Sequence, residues 1–370
     1  MHRKLGFGFL RYPRTDPDDP KSVDYPLLFT LVDEFLKTGS YFDTAYTYQN
    51  GFNEMVLRKA LVERHPRENY RVADKLPGYM VKSHAHCWDF LNESLSRCGL
   101  TYFDVYLLHG LNEENYAIAE RFDQFGFLEK VKAAGKALKT GFSFHDSPEL
   151  LDRILTAHPE VDYVQLQMNY LDWESPSIQS GKCYEVAVKH GKPIIVMEPV
   201  KGGTLANPPE EAARILNGLE GESYASQALE FVVRLPQVEL VLSGMNTLTQ
   251  LRENSRPLSP KTPEALARWH RVLGQAANVM REKTAVPCTG CGYCLEVCPK
   301  NIPIPRLLAL YNESERNPGE GWKMEYLYLE AVKGRGSVDD CVECGQCARR
   351  CPQKISIPEC LQNVKKAILS

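Results

Sequence analysis

Phe103-Asp104-Val105-Tyr106-Leu107-Leu108-His109 is the stretch whose reading decides the fold. It is a short run rich in β-forming apolar residues that stops abruptly on a polar side chain, as a buried strand of a parallel sheet does. Working outward, similar runs recur at Leu5 to Leu10, Ser40 to Thr44, Tyr70 to Leu76, Leu138 to Phe144, Tyr163 to Met168, Pro193 to Pro199 and Glu239 to Ser243. Amphipathic stretches lie between them: Leu27 to Thr38, Asn53 to Arg64, Trp88 to Cys98, Phe122 to Ala134, Glu149 to Ala157, Gln179 to His190 and Ser223 to Leu235. Eight strands alternating with helices predict an α/β fold, a (β/α)8 TIM barrel. An open doubly wound sheet is the competing arrangement, but no Gly-x-Gly-x-x-Gly follows the first strand.

The 370 residues, 43% hydrophobic and 25% charged, suffice for a large core and a smaller module. Lys and Arg total 44 against 47 Asp and Glu, a formal net charge of -3, so no global field recruits nucleic acid or anionic lipid. The apolar run at Met1 to Gly8 is too short for a signal peptide, and no stretch reaches the length of a membrane span. The expectation is a cytoplasmic protein.

Eight of the twelve cysteines form two copies of one spacing near the C-terminus, Cys288-x2-Cys291-x2-Cys294-x3-Cys298-Pro299 and Cys341-x2-Cys344-x2-Cys347-x3-Cys351-Pro352. This is the ligand run of iron–sulfur clusters, in which the fourth cysteine serves the neighbouring cluster of a two-cluster ferredoxin. Two [4Fe-4S] clusters are therefore expected, one on Cys288, Cys291, Cys294 and Cys351, the other on Cys341, Cys344, Cys347 and Cys298. Zinc would pair Cys-x2-Cys knuckles with a second pair or a histidine downstream, and a disulfide framework does not suit cysteines so tightly clustered. Cys87, Cys98, Cys183 and Cys360 are scattered and read as incidental thiols.

The composition changes at Arg256-Pro257-Leu258-Ser259-Pro260-Lys261-Thr262-Pro263, a connector leading into a helix from about Glu264 to Glu282. Between the cysteine runs, Ile304 to Glu315 and Trp322 to Val332 read as two helices separated by Asn317-Pro318-Gly319, which makes the cluster module an internal repeat with a helical spacer.

Catalytic groups of a TIM barrel gather at the C-terminal ends of its strands. Asp43 ends Tyr41-Phe42-Asp43 with Tyr48 five positions on, Lys75 ends Val72-Ala73-Asp74-Lys75, and His109 ends the fourth strand. His84 and His86, after the third strand, read as hydrogen-bonding histidines; Trp173 reads as packing or as a pocket wall.

Asp43, Tyr48, Lys75 and His109, in this order and on these strands, resemble the tetrad of the aldo-keto reductases, and the resemblance spans about the first 255 residues. It implies a carbonyl reductase using NAD or NADP. Tyr48 would give its proton to the carbonyl oxygen as hydride arrives from the nicotinamide. Lys75, held by Asp43, would stabilise the phenolate of a group whose ordinary pKa is about 10, and His109 would orient the carbonyl. Gly141-Phe142-Ser143-Phe144 and Val164-Gln165-Leu166-Gln167 resemble the segments that bind the nicotinamide carboxamide, giving Ser143 and Gln165, although Phe144 stands where Asn is usual. Met197 falls where many members stack a tyrosine. Leu242-Ser243-Gly244-Met245-Asn246 with Gln250, Glu253 and Asn254 resembles the stretch that binds the dinucleotide phosphates and adenine. Gly244 and Gln250 occupy positions where NADPH-specific members carry cations. Lys201-Gly202-Gly203 resembles a segment of iron–sulfur members, and reads as a phosphate contact or a plain glycine turn.

The implied organisation is a barrel over residues 1–255, a connector over 256–285 and a mainly helical ferredoxin-like domain over 286–370. One function that follows is carbonyl reduction of a small molecule with NAD(P)H. The alternative is electron transfer between the clusters and a barrel-bound flavin such as FMN or a substrate, served by a redox partner protein; hydride moves two electrons, and each cluster moves one.

Overall fold

A computed structural model of the chain describes residues 4–16, 19, 21–219, 223–316 and 321–369. The chain divides into two compact units, Met1–Val200 with Ala225–Lys261, and Lys201–Tyr224 with Thr262–Ser370.

The first unit is the expected barrel. Strands β1 (Leu5–Gly8), β2 (Tyr41–Asp43), β3 (Arg71–Leu76), β4 (Phe103–Leu111), β5 (Ala137–Phe144), β6 (Tyr163–Gln167), β7 (Ile194–Met197) and β8 (Val238–Ser243) pair in sequence order, all parallel, and β8 closes on β1. Side chains alternate across each strand, and the inward parity runs through Tyr41, Ala73, Val105, Leu107, Tyr163 and Ile195, which form one buried cluster. The register sets Ala73 beside Val105 and Gly141 beside Tyr163. Gly141 permits that close approach, since a Cβ there would stand 2.0 Å from the Tyr163 carbonyl oxygen. Carrying the parity two residues on brings Asp43, Lys75, His109, Ser143, Gln165 and Met197 to the C-terminal rim.

Helices α1 (Tyr25–Phe35), α2 (Phe52–Leu57), α3 (His84–Cys98), α4 (Glu113–Arg121), α5 (Gln124–Ala133), α6 (Pro148–Ala157), α7 (Ser180–Lys189), α8 (Glu210–Leu216), α9 (Tyr224–Val233) and α10 (Leu248–Asn254) follow in chain order. The local chemistry sets their ends. In α3 the Ser83 hydroxyl accepts from the His86 N–H, Gly99 stops the helix at φ 68°, and Cys87, Leu91, Ser94, Leu95 and Cys98 face inward. Two differences from the sequence reading stand out. The expected helix Asn53 to Arg64 is α2 followed by a π-helical turn, Arg58–Val62. The connection Leu111 to Gln124 contains α4, whose Asn112 side chain accepts from the Asn115 N–H and whose first turn carries Glu113 and Glu114.

The second unit is helical, with α8, α11 (Pro263–Glu282), α12 (Tyr293–Glu296), α13 (Ile304–Arg316), α14 (Gly321–Val332), α15 (Gln346–Arg349) and α16 (Ile357–Ile368). Helix α11 begins as expected, with the Thr262 hydroxyl capping the Ala265 N–H. In α16, Ile357, Leu361, Val364 and Ile368 form a single buried stripe, joined in one core by Ile304, Leu307 and Met324 among others. The turn at Asn317-Pro318-Gly319 lies outside the described residues. Among the described residues no helix is long and apolar enough to cross a membrane.

Candidate active site and cysteine centre

At the barrel rim the four residues singled out from the sequence come together. Lys75, 1% exposed, donates from Nζ to Asp43 Oδ1 at 2.7 Å, to the Thr44 carbonyl at 2.6 Å and to the Tyr48 hydroxyl oxygen at 3.5 Å. His109 is buried and meets the Tyr48 ring edge-on, with centroids 5.8 Å apart. Burial works against the Lys75 charge, but the Asp43 carboxylate and the Tyr48 oxygen outweigh it and hold the ammonium above its ordinary pKa. Burial also raises the Asp43 carboxyl, with Lys75 pulling it back. The arrangement keeps a protonated amine against a phenol oxygen inside a dry rim.

Tyr48 is placed by a turn that the sequence did not announce. Gln49, Asn50 and Gly51 have φ of 46°, 54° and 83° in succession, and fully buried Asn53 braces them. Its Nδ2 donates to the Phe9 carbonyl at 3.0 Å and to Gln49 Oε1 at 2.8 Å, while its Oδ1 accepts from the Thr44 hydroxyl at 2.7 Å. Asn53 thus ties the ends of β1 and β2 to the Tyr48 turn. Tyr79 was also missed; its ring lies 6.3 Å from that of His109 and its hydroxyl 3.5 Å from Thr47 Oγ1. An Asn or Tyr in a loop carries no pattern that would single it out. Of the two histidines expected to hydrogen-bond, His84 bonds the Phe122 carbonyl at 3.0 Å, while His86 stacks on Phe90. Trp173 packs edge-on against Phe231.

Asp74 points away from Lys75, by strand alternation, into a buried group with Glu54 and Cys98. Burial, reinforced by Glu54, pushes the Asp74 carboxyl well up, and Arg97 Nη1 donates to Glu54 Oε2 at 3.0 Å. A shared proton and one guanidinium account for that cluster.

Of the residues expected to hold a dinucleotide, Ser143 and Gln165 are buried on adjacent strands and paired in register. The Ser143 hydroxyl accepts from the Gly110 N–H at 2.7 Å. Gln165 Nε2 lies 3.6 Å from Met197 Sδ, and its Oε1 is buried with no hydrogen-bond partner. Buried amide oxygens are rarely left so, and an acceptor without a donor suits an incoming carboxamide. Asn254 Nδ2 donates to Ser243 Oγ at 3.1 Å, leaving its buried Oδ1 in the same condition. Gly244, Asn246 and Gln250 are exposed and Glu253 half-buried; the Asn246 N–H donates to Gln250 Oε1 at 2.8 Å. A cation does approach this place, from β1's end: the Arg11 side chain packs over Gly244 and its guanidinium lies 3.7 Å from Glu198.

In the second unit the two cysteine runs are structural repeats. Gly292 and Gly345, both at positive φ, open α12 and α15, and Ile302 and Ile304 correspond to Ile355 and Ile357 after the proline. Cys294 feels Cys291, Cys288, Cys351 and Cys347, and Cys347 feels Cys341 and Cys298, so sulfurs of opposite runs lie close together. Burial raises the Cys294 and Cys347 thiols first, and neighbouring thiolates add to it. Crowded thiolates need a cation to offset them, and eight soft donors with an N–H aimed at Cys288 Sγ from Gly290 (3.4 Å) fit iron–sulfur clusters. Cys360, set aside from sequence, lies close enough to Cys351 and Cys288 for both to act on its thiol, whose pKa burial raises.

Comparison with known proteins bears on the fold and the family. Residues 287–355 match the 4Fe-4S dicluster domain. The chain is 24% identical over 255 residues, 61% of its length and 80% of the relative's, to an uncharacterized oxidoreductase, YqkF, of Bacillus subtilis. The fold is shared with the aldo-keto reductase AKR11C1 of Bacillus halodurans in its holo form, at 22% identity and a TM-score of 0.59, covering 73% of this chain and 91% of that one. It is shared too with an aldo/keto reductase of Klebsiella pneumoniae solved with NADP and acetate, at 19% identity and a TM-score of 0.55, with the same coverage. With residues 4–273 matching the aldo/keto reductase family and a closed eight-stranded barrel beneath them, the chain belongs to that family and carries a C-terminal 4Fe-4S dicluster domain.

Proposed function

We propose that the chain is an iron–sulfur oxidoreductase whose barrel reduces a carbonyl compound with NAD(P)H. The observation that carries this reading is the Asp43–Lys75–Tyr48 line, with the ammonium 2.7 Å from the carboxylate and 3.5 Å from the phenol oxygen. The dinucleotide, when bound, supplies the hydride, and the two [4Fe-4S] clusters, when bound, carry single electrons. Tyr48 donates its hydroxyl proton to the carbonyl oxygen, and Lys75 stabilises the phenolate left behind. Asp43 keeps Lys75 charged and fixed. His109 donates to the carbonyl oxygen and sets its approach to Tyr48. Gln165 and Ser143 orient the carboxamide, Met197 packs on the ring, and Asn254 with the segment from Gly244 to Glu253 takes the rest of the dinucleotide. Proton transfer of this kind contributes on the order of 10²- to 10⁴-fold.

A second reading has the clusters exchanging electrons with a flavin or substrate in the barrel and with a partner protein. Cys344 is exposed, which gives an electron-transfer partner access to one sulfur set.

The test is anaerobic NADH- and NADPH-dependent reduction of a panel of carbonyl compounds by wild type and Tyr48→Phe. The first reading expects Tyr48→Phe to lose at least about a hundredfold in turnover with cluster absorbance intact. Unchanged turnover would sink it. Bleaching of the clusters only when FMN or a partner is added would favour the second.

A further inference from the structure

Lys201-Gly202-Gly203 follows β7 in the chain but packs with the cysteine unit. Its three residues have φ of 46°, 65° and 103°, a run that glycine would suit throughout, because a side chain in the left-handed region costs about 1–2 kcal/mol. The first of them is nevertheless a lysine, and it is buried, 3% exposed. Its Nζ donates to the buried Oε1 of Gln353 at 3.1 Å. Gly202 lies against the backbone of Thr289, where a Cβ would come within 2.3 Å of the carbonyl oxygen.

Thr289 neighbours Cys288, and Gln353 stands two residues after Cys351. The segment is therefore clamped at two points of a single sulfur set, the one comprising Cys288, Cys291, Cys294 and Cys351. The lysine ammonium is thus anchored on a side chain two residues from Cys351, beside a glycine packed on the residue after Cys288. The repeat shows how unequal the two sets are. Lys300 holds the place after Cys298-Pro299 that Gln353 holds after Cys351-Pro352, and Lys300 is exposed, as is Cys344. Water screens a charge at the surface; a buried ammonium acts through a far lower dielectric.

A [4Fe-4S] core on four thiolates carries a net charge of two minus, and one added electron makes it three minus. Burial alone makes that electron harder to accept, and a fixed cation makes it easier. We propose that Lys201 makes the cluster on Cys288, Cys291, Cys294 and Cys351 the easier of the two to reduce, so that an electron entering at the exposed set passes on to it. The inference rests on the two-cluster reading above. Each step moves one electron: a low-potential one-electron donor reduces the cluster whose Cys344 is exposed, which is reoxidised as the one beside Lys201 is reduced.

The experiment is a redox titration of the anaerobically reconstituted full chain with dithionite as the one-electron donor, each cluster followed by EPR and absorbance, with iron counted. In Lys201→Met one of the two couples should fall so that the electron-exchange constant between clusters drops at least about tenfold, or about 59 mV for a one-electron couple. The other couple should stay in place. Gln353→Glu, which sets a carboxylate against Nζ without removing the lysine, should shift the same couple the same way; Lys201→Arg should restore it. Exposed Lys354→Met should move it far less. Neutral-charge variants that keep about eight irons and titrate as the wild type does would overturn the proposal, since a merely structural lysine would leave the potential alone. Wild-type iron well short of about eight would overturn the two-cluster reading and the inference with it.

Discussion

Lys75→Met removes the ammonium that Asp43 faces across 2.7 Å in a site where the lysine is 1% exposed. At an effective dielectric of about 20, two unit charges at that separation attract by about 6 kcal/mol, against which stands a desolvation cost of several kcal/mol per ion. The net value of the pair is therefore small, but breaking it from one side leaves a buried carboxylate alone and costs about 3–5 kcal/mol. Asp43→Leu should cost a similar amount by stranding the lysine. The double variant, with no charge left, should recover most of that loss, giving a coupling energy of at least about 2 kcal/mol. Turnover should not recover, because the group proposed to stabilise the Tyr48 phenolate is gone from Lys75→Met and from the double variant. Anaerobic urea unfolding of the full chain, followed by circular dichroism, reads the stability; NAD(P)H oxidation with a carbonyl substrate reads the activity. Additive single costs would refute the ion pair, and a double variant that regained activity along with stability would refute the assigned role of Lys75.

Two further outcomes follow from the geometry. Cys351→Ala should lose about four of the eight irons, Cys291→Ala/Cys351→Ala should lose no more, and Cys344→Ala/Cys351→Ala should lose nearly all; equal losses in the two double variants would disprove the crossed pairing of the runs. Gln165→Leu removes a buried acceptor that has no donor, so the unliganded barrel should unfold at the same or higher urea concentration, while NADPH binding by fluorescence titration weakens about tenfold. Unaltered affinity would take Gln165 out of the cofactor site.

The fold was legible because a barrel repeats one local unit eight times. Each apolar run of the first 245 residues had to bury both faces, and such runs separated by amphipathic stretches have few ways to close. The departures fall where chain ends of helices are set by single side chains. Asn112 caps α4 where the hydrophobic pattern offered no helix, and the π-helical turn at Arg58–Val62 leaves no mark in that pattern. The rim residues Asp43, Lys75 and His109 were legible for the same reason as the strands, since alternation puts the residue two past an inward Tyr41, Ala73 or Leu107 on the inner face at the strand's end. Asn53 and Tyr79 were not, because their importance lies in contacts across the chain.

By itself, then, the sequence determined the barrel, the residues at its rim and the two cysteine runs, all of them written in periodicity or fixed spacing over short distances. Only the tertiary structure decided which groups surround those features. It closed Lys75 between Asp43 and Tyr48, brought Cys360 beside Cys351 and Cys288, and assigned Lys201–Tyr224 to the cysteine unit. Lys201 and Gln353 are 152 positions apart and share a hydrogen bond at 3.1 Å. No local pattern encodes such a pairing, because the burial that makes the contact strong arises only once the segments carrying both ends have packed.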